Sequence, residues 1–352
     1  MCGNCNRLYR RQPEQDAFKP AESVEADRQK LKSTSDLALL RKKYDVALKT
    51  IETQQRQLDL VGHLDTSINT FTIAQKVSSK SSEATPVIVA SDWHIEERVG
   101  AEVGDLNRYD LSIAHARATK FWQHALRLVQ LLNQDVTINT VIVALLGDFI
   151  TNEIHGAENA ETNEVTPIEA ILQAEEMIAS GLDFLLANSP YAFRVVCHSG
   201  NHARTTLTTR YASEAGHSLE FFMYRHLANY YKDEPRIQFI VPESPFSYVD
   251  VYDQTIRFTH GHFIKYGGGI GGLFIPAYKA ISQYQKVQYA DLTVFGHFHQ
   301  HKDGGSFLVN GSLIGWNAFA QAIKADYEVP KQLLFLQDSK RGRTCTWPIF
   351  VA

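Results

Sequence analysis

Residues 86–94 read PVIVASDWH, a short β-branched run that stops at Asp92-Trp93-His94. Runs rich in Val and Ile favour strands, and this one ends in residues that bind metals or move protons. The pattern recurs downstream. TVIVALLG runs into Asp148, RVVCHSG into Asn201-His202, IRFT into His260-Gly261-His262, and LTVFG into His297-Phe298-His299. A further run, SFLVNGS at 306–312, closes the series. Helical patterns lie between them at 110–133, 167–188 and 213–231. The second has a clear start: Thr166 as cap, Pro167 at the first helical position and Glu169 to complete a capping box. Alternating strands and helices predict an α/β fold. Such sheets place ligands at the carboxyl ends of their strands, so five strands ending this way gather their polar residues at one edge.

The residue types define the chemistry. Imidazole, carboxylate and an amide carbonyl without thiolate suit a divalent ion such as Mn²⁺, with Fe²⁺, Zn²⁺ or Ni²⁺ also compatible. Two such ions, about 3.5–4 Å apart, clamp a phosphate and generate a hydroxide near neutral pH. Two close cations need an anion between them, and Asp148 is the best candidate bridge. Each motif alone is weak. Gly-Asp is an ordinary turn dipeptide, and a lone Asp-x-His after a strand is common. Five in order, each after a strand, are not.

The order Asp92-x-His94, Gly147-Asp148, Gly200-Asn201-His202, His260, Gly296-His297-x-His299 resembles the calcineurin-like metallophosphoesterase superfamily over residues 86–315. The HGH at 260–262 is similar to its nuclease and bacterial phosphodiesterase branches, and the general texture to small phosphoesterases of bacteriophages. The resemblance implies a four-layer αββα sandwich, two mixed β-sheets face to face with helices outside. It also implies roles. Asp92, His94 and His299 hold one metal, Asn201, His260 and His297 hold the second, and Asp148 bridges them. His202 contacts the phosphate and serves the leaving oxygen as catalytic acid. One departure matters: the family carries an acid after the Asn-His pair to orient this histidine, and here the residue is Ala203, followed by Arg204. Glu153 is a candidate substitute, or His202 plays a lesser part.

Around this set, Arg204, His155 and His262 are candidate substrate residues. Glu96 and Glu97 read as solvated loop charges, 310–312 as packing, and the glycine-rich stretch 266–272 as a flexible loop at the cleft mouth. The expected activity is dinuclear hydrolysis of a phosphodiester, with nucleic acid as a candidate substrate. The alternatives are a phosphomonoesterase acting on nucleotides or phosphoproteins, and a non-enzymatic interaction protein that keeps the metal site.

Of the 352 residues, 44% are hydrophobic and 21% charged, and the net charge of −4 gives no support to a strongly basic nucleic-acid binder. The first 50 residues nonetheless carry an excess of about four positive charges. Cys2 and Cys5 form one CxxC, at most half a zinc site. With no secretory signal or membrane span in the pattern, a cytoplasmic protein is expected. Residues 1–84 read as an N-terminal extension: a polar, loosely ordered start to residue 35, a heptad-like helix over 36–62, then a Ser-rich linker. Leu37, Leu40, Tyr44, Ala47, Ile51, Gln54 and Leu58 make its seam, which either lies on the main domain or joins copies into a homo-oligomer. Residues 85–352 form the phosphoesterase-like domain.

Overall fold

The computed structural model describes residues 21–67, 82–104, 106–154, 161–266, 271–322 and 324–352. The chain divides into two units, Met1–Val77 and Ser78–Ala352. The first contains helix α1 (Ala21–Ser67), whose described side chains are all exposed. It runs past both ends of the expected 36–62 helix. Residues 21–35 are therefore helical rather than loosely ordered, because Ala, Glu, Lys, Arg and Gln dominate there without Gly or Pro. Residues 1–20, with the Cys2/Cys5 pair, and most of the linker lie outside the described residues.

The second unit is built on two mixed sheets. Its strands are β1 (Ala84–Ala90), β2 (Thr140–Leu145), β3 (Ala192–Cys197), β4 (Ile237–Ile240), β5 (Ser247–Val251), β6 (Gln254–Phe258), β7 (Leu292–Phe295), β8 (Lys302–Asp303), β9 (Phe307–Val309), β10 (Lys331–Asp338) and β11 (Gly342–Phe350). One sheet has the order β11-β10-β1-β2-β3-β4, the other β5-β6-β7-β9-β8. The central strands β1 to β4 run parallel, as do β6, β7 and β9, while β10, β11, β5 and β8 join antiparallel. The helices are α2 (Leu111–Leu132), α3 (Pro167–Ala187), α4 (Leu219–Tyr230), α5 (Phe274–Tyr284) and the short α6 (Ala318–Ala322).

Strand alternation sorts each run between two cores. Val87, Val89, Ile142, Ala144 and Val196 face the second sheet, where Val249, Ile256, Phe258, Val294 and Leu308 meet them. The intervening Ile88, Ala90, Val143, Leu145 and Val195 pack under α2, α3 and α4, against Phe121, Trp122, Ile178 and Leu182. On the far side, Phe295, Phe307 and Val309 pack under α5 through Ala277 and Ile281. The result is the four-layer αββα sandwich. The capping box of α3 is present: Glu169 N–H donates to Thr166 Oγ1, and Thr166 N–H to the Glu169 carboxylate. No helix among the described residues is long and apolar enough to cross a membrane.

Candidate metal centre

Each candidate site residue lies in the loop after a parallel strand: Asp92 and His94 follow β1, Asp148 follows β2, Asn201 and the candidate acid His202 follow β3, His260 follows β6, and His297 and His299 follow β7. Backbone bonds lace these loops together. Asp92 N–H donates to Gly147 O at 2.9 Å, and Trp93 and His94 N–H both donate to Asp148 O, at 2.8 and 3.1 Å. The turns are tight enough to force unusual backbone. Asp92, His94, Asp148, His297 and His299 all have positive φ, as do only three other non-glycine residues among those described. Left-handed backbone is costly for such residues and clusters at functional sites. Glycine precedes three of the candidate ligands, Asp148, Asn201 and His297, for a steric reason: a Cβ on Gly147 would overlap the Gly200 backbone. A Cβ on Gly200 would overlap the Asp148 carboxylate, and one on Gly296 would overlap Ser91 Oγ and Asp92 Oδ2.

The ligand atoms converge. Three groups, Asp92–His94–His299, His94–Asp148–His202 and Asp148–His260–His297, each have their candidate atoms within 4.8 Å of one another. His94 Nε2 lies 3.2 Å from His299 Nε2, which lies 3.6 Å from Asp92 Oδ1. His260 Nε2 lies 3.0 Å from Asp148 Oδ2 and 3.3 Å from Asn201 Oδ1. Two of the rings have their other nitrogen bonded: His94 Nδ1 meets Thr151 Oγ1 at 3.1 Å, and His260 Nδ1 donates to Leu146 O at 2.6 Å, while His299 Nδ1 is buried without a partner. With Nδ1–H so committed, His94 Nε2 turns a lone pair into the cluster, and a neutral His260 would turn its own toward carboxylate and amide oxygens. That is unfavourable unless a cation sits between them, so the donor set fits divalent metal.

The charge balance agrees. Burial holds the pKa of His94 and His297 well below the ordinary imidazole value and brings that of His299 to about 3, so these rings stay neutral. Burial pushes Asp92 up to about 7, against the pull of His260. Burial also works to raise Asp148, but His260 and His202 outweigh it and hold the carboxyl well below its usual range. For His260, burial disfavours the charge while Asp148 more than restores it, to about 10. A proton on His260 occupies the place a metal would take.

A second layer fixes the first. Glu220, fully buried on α4, accepts Phe149 N–H and Gly200 N–H, both at 2.7 Å, and so ties the Asp148 turn to the Asn201 turn. Glu96 is not a solvated charge: it is fully buried and accepts the N–H groups of Thr151 and Asn152, at 2.7 and 2.8 Å. Glu97 is half-buried in the cleft wall, taking Thr151 Oγ1–H at 3.2 Å and Asn317 Nδ2–H at 2.9 Å. The 310–312 segment does more than pack. Asn310 Nδ2 donates to Ser91 Oγ at 2.8 Å, and that hydroxyl bonds the Asp92 carboxylate. Of these, the Glu96-Glu97 pair had a sequence signal in its closeness to the first motif, and 310–312 in its place after a strand run; Glu220 had none.

His202 is oriented without an acid at 203. Its Nδ1 lies 2.9 Å from Thr151 O, so Nδ1–H donates to a backbone carbonyl. Its own N–H donates to Asp148 Oδ1 at 2.8 Å, and Asn152 Nδ2 donates to His202 O and Arg204 O, at 2.9 and 3.0 Å. Ala203 is fully buried among apolar side chains. The Glu153 side chain is exposed and is not the substitute.

A cleft of about 480 Å³ opens over the centre, lined by His94, Asp148, Asn201, His202, His297 and His299 together with Asn317–Phe319 and Ala322. Two substrate candidates sit elsewhere. Arg204 lines a separate small cavity beside Asn201, and its Nη1 donates to Asn201 O at 2.6 Å. His262 is buried against Glu214 Oε1 at 3.1 Å, off the line of a hydrogen bond, and does not line the cleft. In both cases a local carboxylate or carbonyl claims the side chain. His155 lies outside the described residues, as do 267–270 of the glycine-rich stretch.

No protein-family model matches the chain, and no curated protein does. Solved structures are similar to it. Vps29 complexed with zinc from Entamoeba histolytica is 14% identical, with 75% of this chain and 99% of that chain covered and a TM-score of 0.29. A predicted phosphoesterase from Streptococcus pneumoniae TIGR4 is 12% identical (76% and 99% covered, TM-score 0.29). A putative 5'-nucleotidase from Staphylococcus aureus is 10% identical (76% and 54% covered, TM-score 0.31). All three have the calcineurin-like metallophosphoesterase fold. At these values the similarity carries no functional inference.

Proposed function

We propose that this protein is a metal-dependent phosphoesterase of the calcineurin-like type, cleaving phosphodiesters with two divalent ions, Mn²⁺ foremost. The supporting observation is the sharing of Asp148 between ligand groups, one with His94 and one with His260 and His297. Asp92, His94 and His299 would hold one ion, Asn201, His260 and His297 the other, and Asp148 both. Bound there, the ions would polarise the phosphoryl group and lower the pKa of water.

The chain's own residues do the rest. Asp148 accepts His202 N–H and so fixes that residue against the centre. The Thr151 carbonyl holds the His202 ring with Nδ1–H committed, which leaves Nε2 to carry or give up a proton at the leaving oxygen. The fully buried Glu96 holds the 151–152 turn that presents this carbonyl. The wall formed by 317–322 narrows the cleft and limits water around the ester.

The test uses Mn²⁺-loaded protein and bis(p-nitrophenyl) phosphate, beside the monoester of the same leaving group. Asp148→Asn should lower diester turnover at least 100-fold. Undiminished hydrolysis by that variant refutes the centre, and a strong monoester preference refutes the diesterase reading. His202→Ala should cost 10²–10⁴-fold in kcat while the metal content stays that of the parent.

A further inference from the structure

The part of the cleft wall beside His299 is apolar and aromatic. Phe319 is 40% exposed, and its ring stands 5.2 Å from that of His299 at 62°. Ala318 and Ala322, both exposed, flank it on α6 and leave its surroundings low and open. A large exposed aromatic beside a metal ligand is not needed for packing: the same helix already buries Ala320 at 3% exposure to seat itself. The ledge is also held in register with the centre. Asn317, 2% exposed, caps α6 by accepting Ala320 N–H at 3.0 Å and donates its Nδ2–H to Glu97. Glu97 accepts from Thr151 Oγ1, which meets His94 Nδ1. An unbroken chain of side-chain hydrogen bonds therefore joins the ledge to a candidate ligand.

We infer that Phe319 is a stacking platform for a nucleobase, so that the ester hydrolysed here is a nucleotide. This rests on the phosphoesterase reading for the place of the phosphate. Phe319 stands beside His299 and lines the same cleft as the ligand cluster, and a cleft of about 480 Å³ is within the range of small-molecule sites. Stacking recognises any base by its face, so it predicts a preference for nucleotides without a preference among bases.

The test is equilibrium binding, which needs no turnover. Adenosine 5'-monophosphate and ribose 5-phosphate, which differ only in the base, are titrated into Mn²⁺-loaded protein by calorimetry. The parent should bind the nucleotide about tenfold tighter or more. Phe319→Ala should close that gap, and Phe319→Trp should keep it. Equal binding of the two ligands by the parent, no binding of either, or a gap that survives in Phe319→Ala overturns the inference. Thermal unfolding of both variants checks that they are folded. The Asp148→Asn hydrolysis test is separate, so either reading can fail alone.

Discussion

Glu220→Gln tests the strap that joins two ligand turns. The side chain has no solvent exposure, and its two oxygens accept Phe149 N–H and Gly200 N–H at 2.7 Å each. Glutamine keeps the shape but has one acceptor oxygen, so its amide N–H₂ must face a backbone N–H. One lost hydrogen bond costs about 1 kcal/mol and one stranded buried donor about 1–3 kcal/mol, together roughly 2–4 kcal/mol. In a domain of this size that lowers the melting temperature by roughly 5–10 °C. Because the strap aligns residues adjacent to Asp148 and Asn201, Mn²⁺ affinity should fall about 10–100-fold. A pH signature separates this from general damage. Burial, reinforced by Asp148, raises the Glu220 pKa to about 8. A raised carboxyl contributes stability that is lost as pH rises through the folded value. Glutamine does not titrate, so in metal-free protein the gap between parent and variant should be widest near the ordinary carboxyl value, shrink as pH rises to about 8, and change little above it. The assays are thermal unfolding across pH without metal and calorimetric Mn²⁺ titration. A variant with parental melting temperature and parental Mn²⁺ affinity refutes the strap.

Restoring an acid at 203 should harm rather than help: Ala203→Asp places an unpartnered carboxyl in a fully buried apolar position, and a loss of roughly 3 kcal/mol or more is expected in thermal unfolding, with no gain in kcat. Metal-free protein should lose stability as pH rises from 6.5 to 9. Asp92 and Glu96 are raised to about 7, Glu220 to about 8 and His260 to about 10, so the folded state holds protons that the unfolded chain has released. Chelator-treated samples melted across that range read the slope, Mn²⁺ should flatten it, and a rising slope without metal would contradict the assignment. Helix α1 presents Leu37, Leu40, Tyr44 and Ile51 at 53–69% exposure, and its pairing with a second copy predicts a dimer or larger by light scattering, reduced to monomer when 1–77 are removed. A monomeric full-length chain ends that idea.

The strand-end motifs were legible because the candidate ligands are particular side chains at a fixed place, and strand runs such as 86–90 announce themselves locally. Contacts made across the chain were not. Glu96 and Glu97 look alike in sequence, yet one is fully buried under two backbone N–H groups and the other half-buried, bonded to Thr151 and Asn317 in the cleft wall. Nothing near Glu220 marks it as a partner of Phe149, 71 residues earlier. The orientation of His202 was hidden for a deeper reason. Its partner is the carbonyl of Thr151, a group every residue possesses, so no residue type records it. That changes where the site is vulnerable. An orienting carboxylate can be removed by one substitution at its own position, whereas a carbonyl answers only to what holds its turn. Here that is Glu96, bonded to the 151 and 152 N–H groups, and Asn152, which at positive φ donates to His202 O and Arg204 O. The departure at Ala203 therefore moves control of the candidate acid into the turn after β2, two residues beyond which the described chain breaks off before His155.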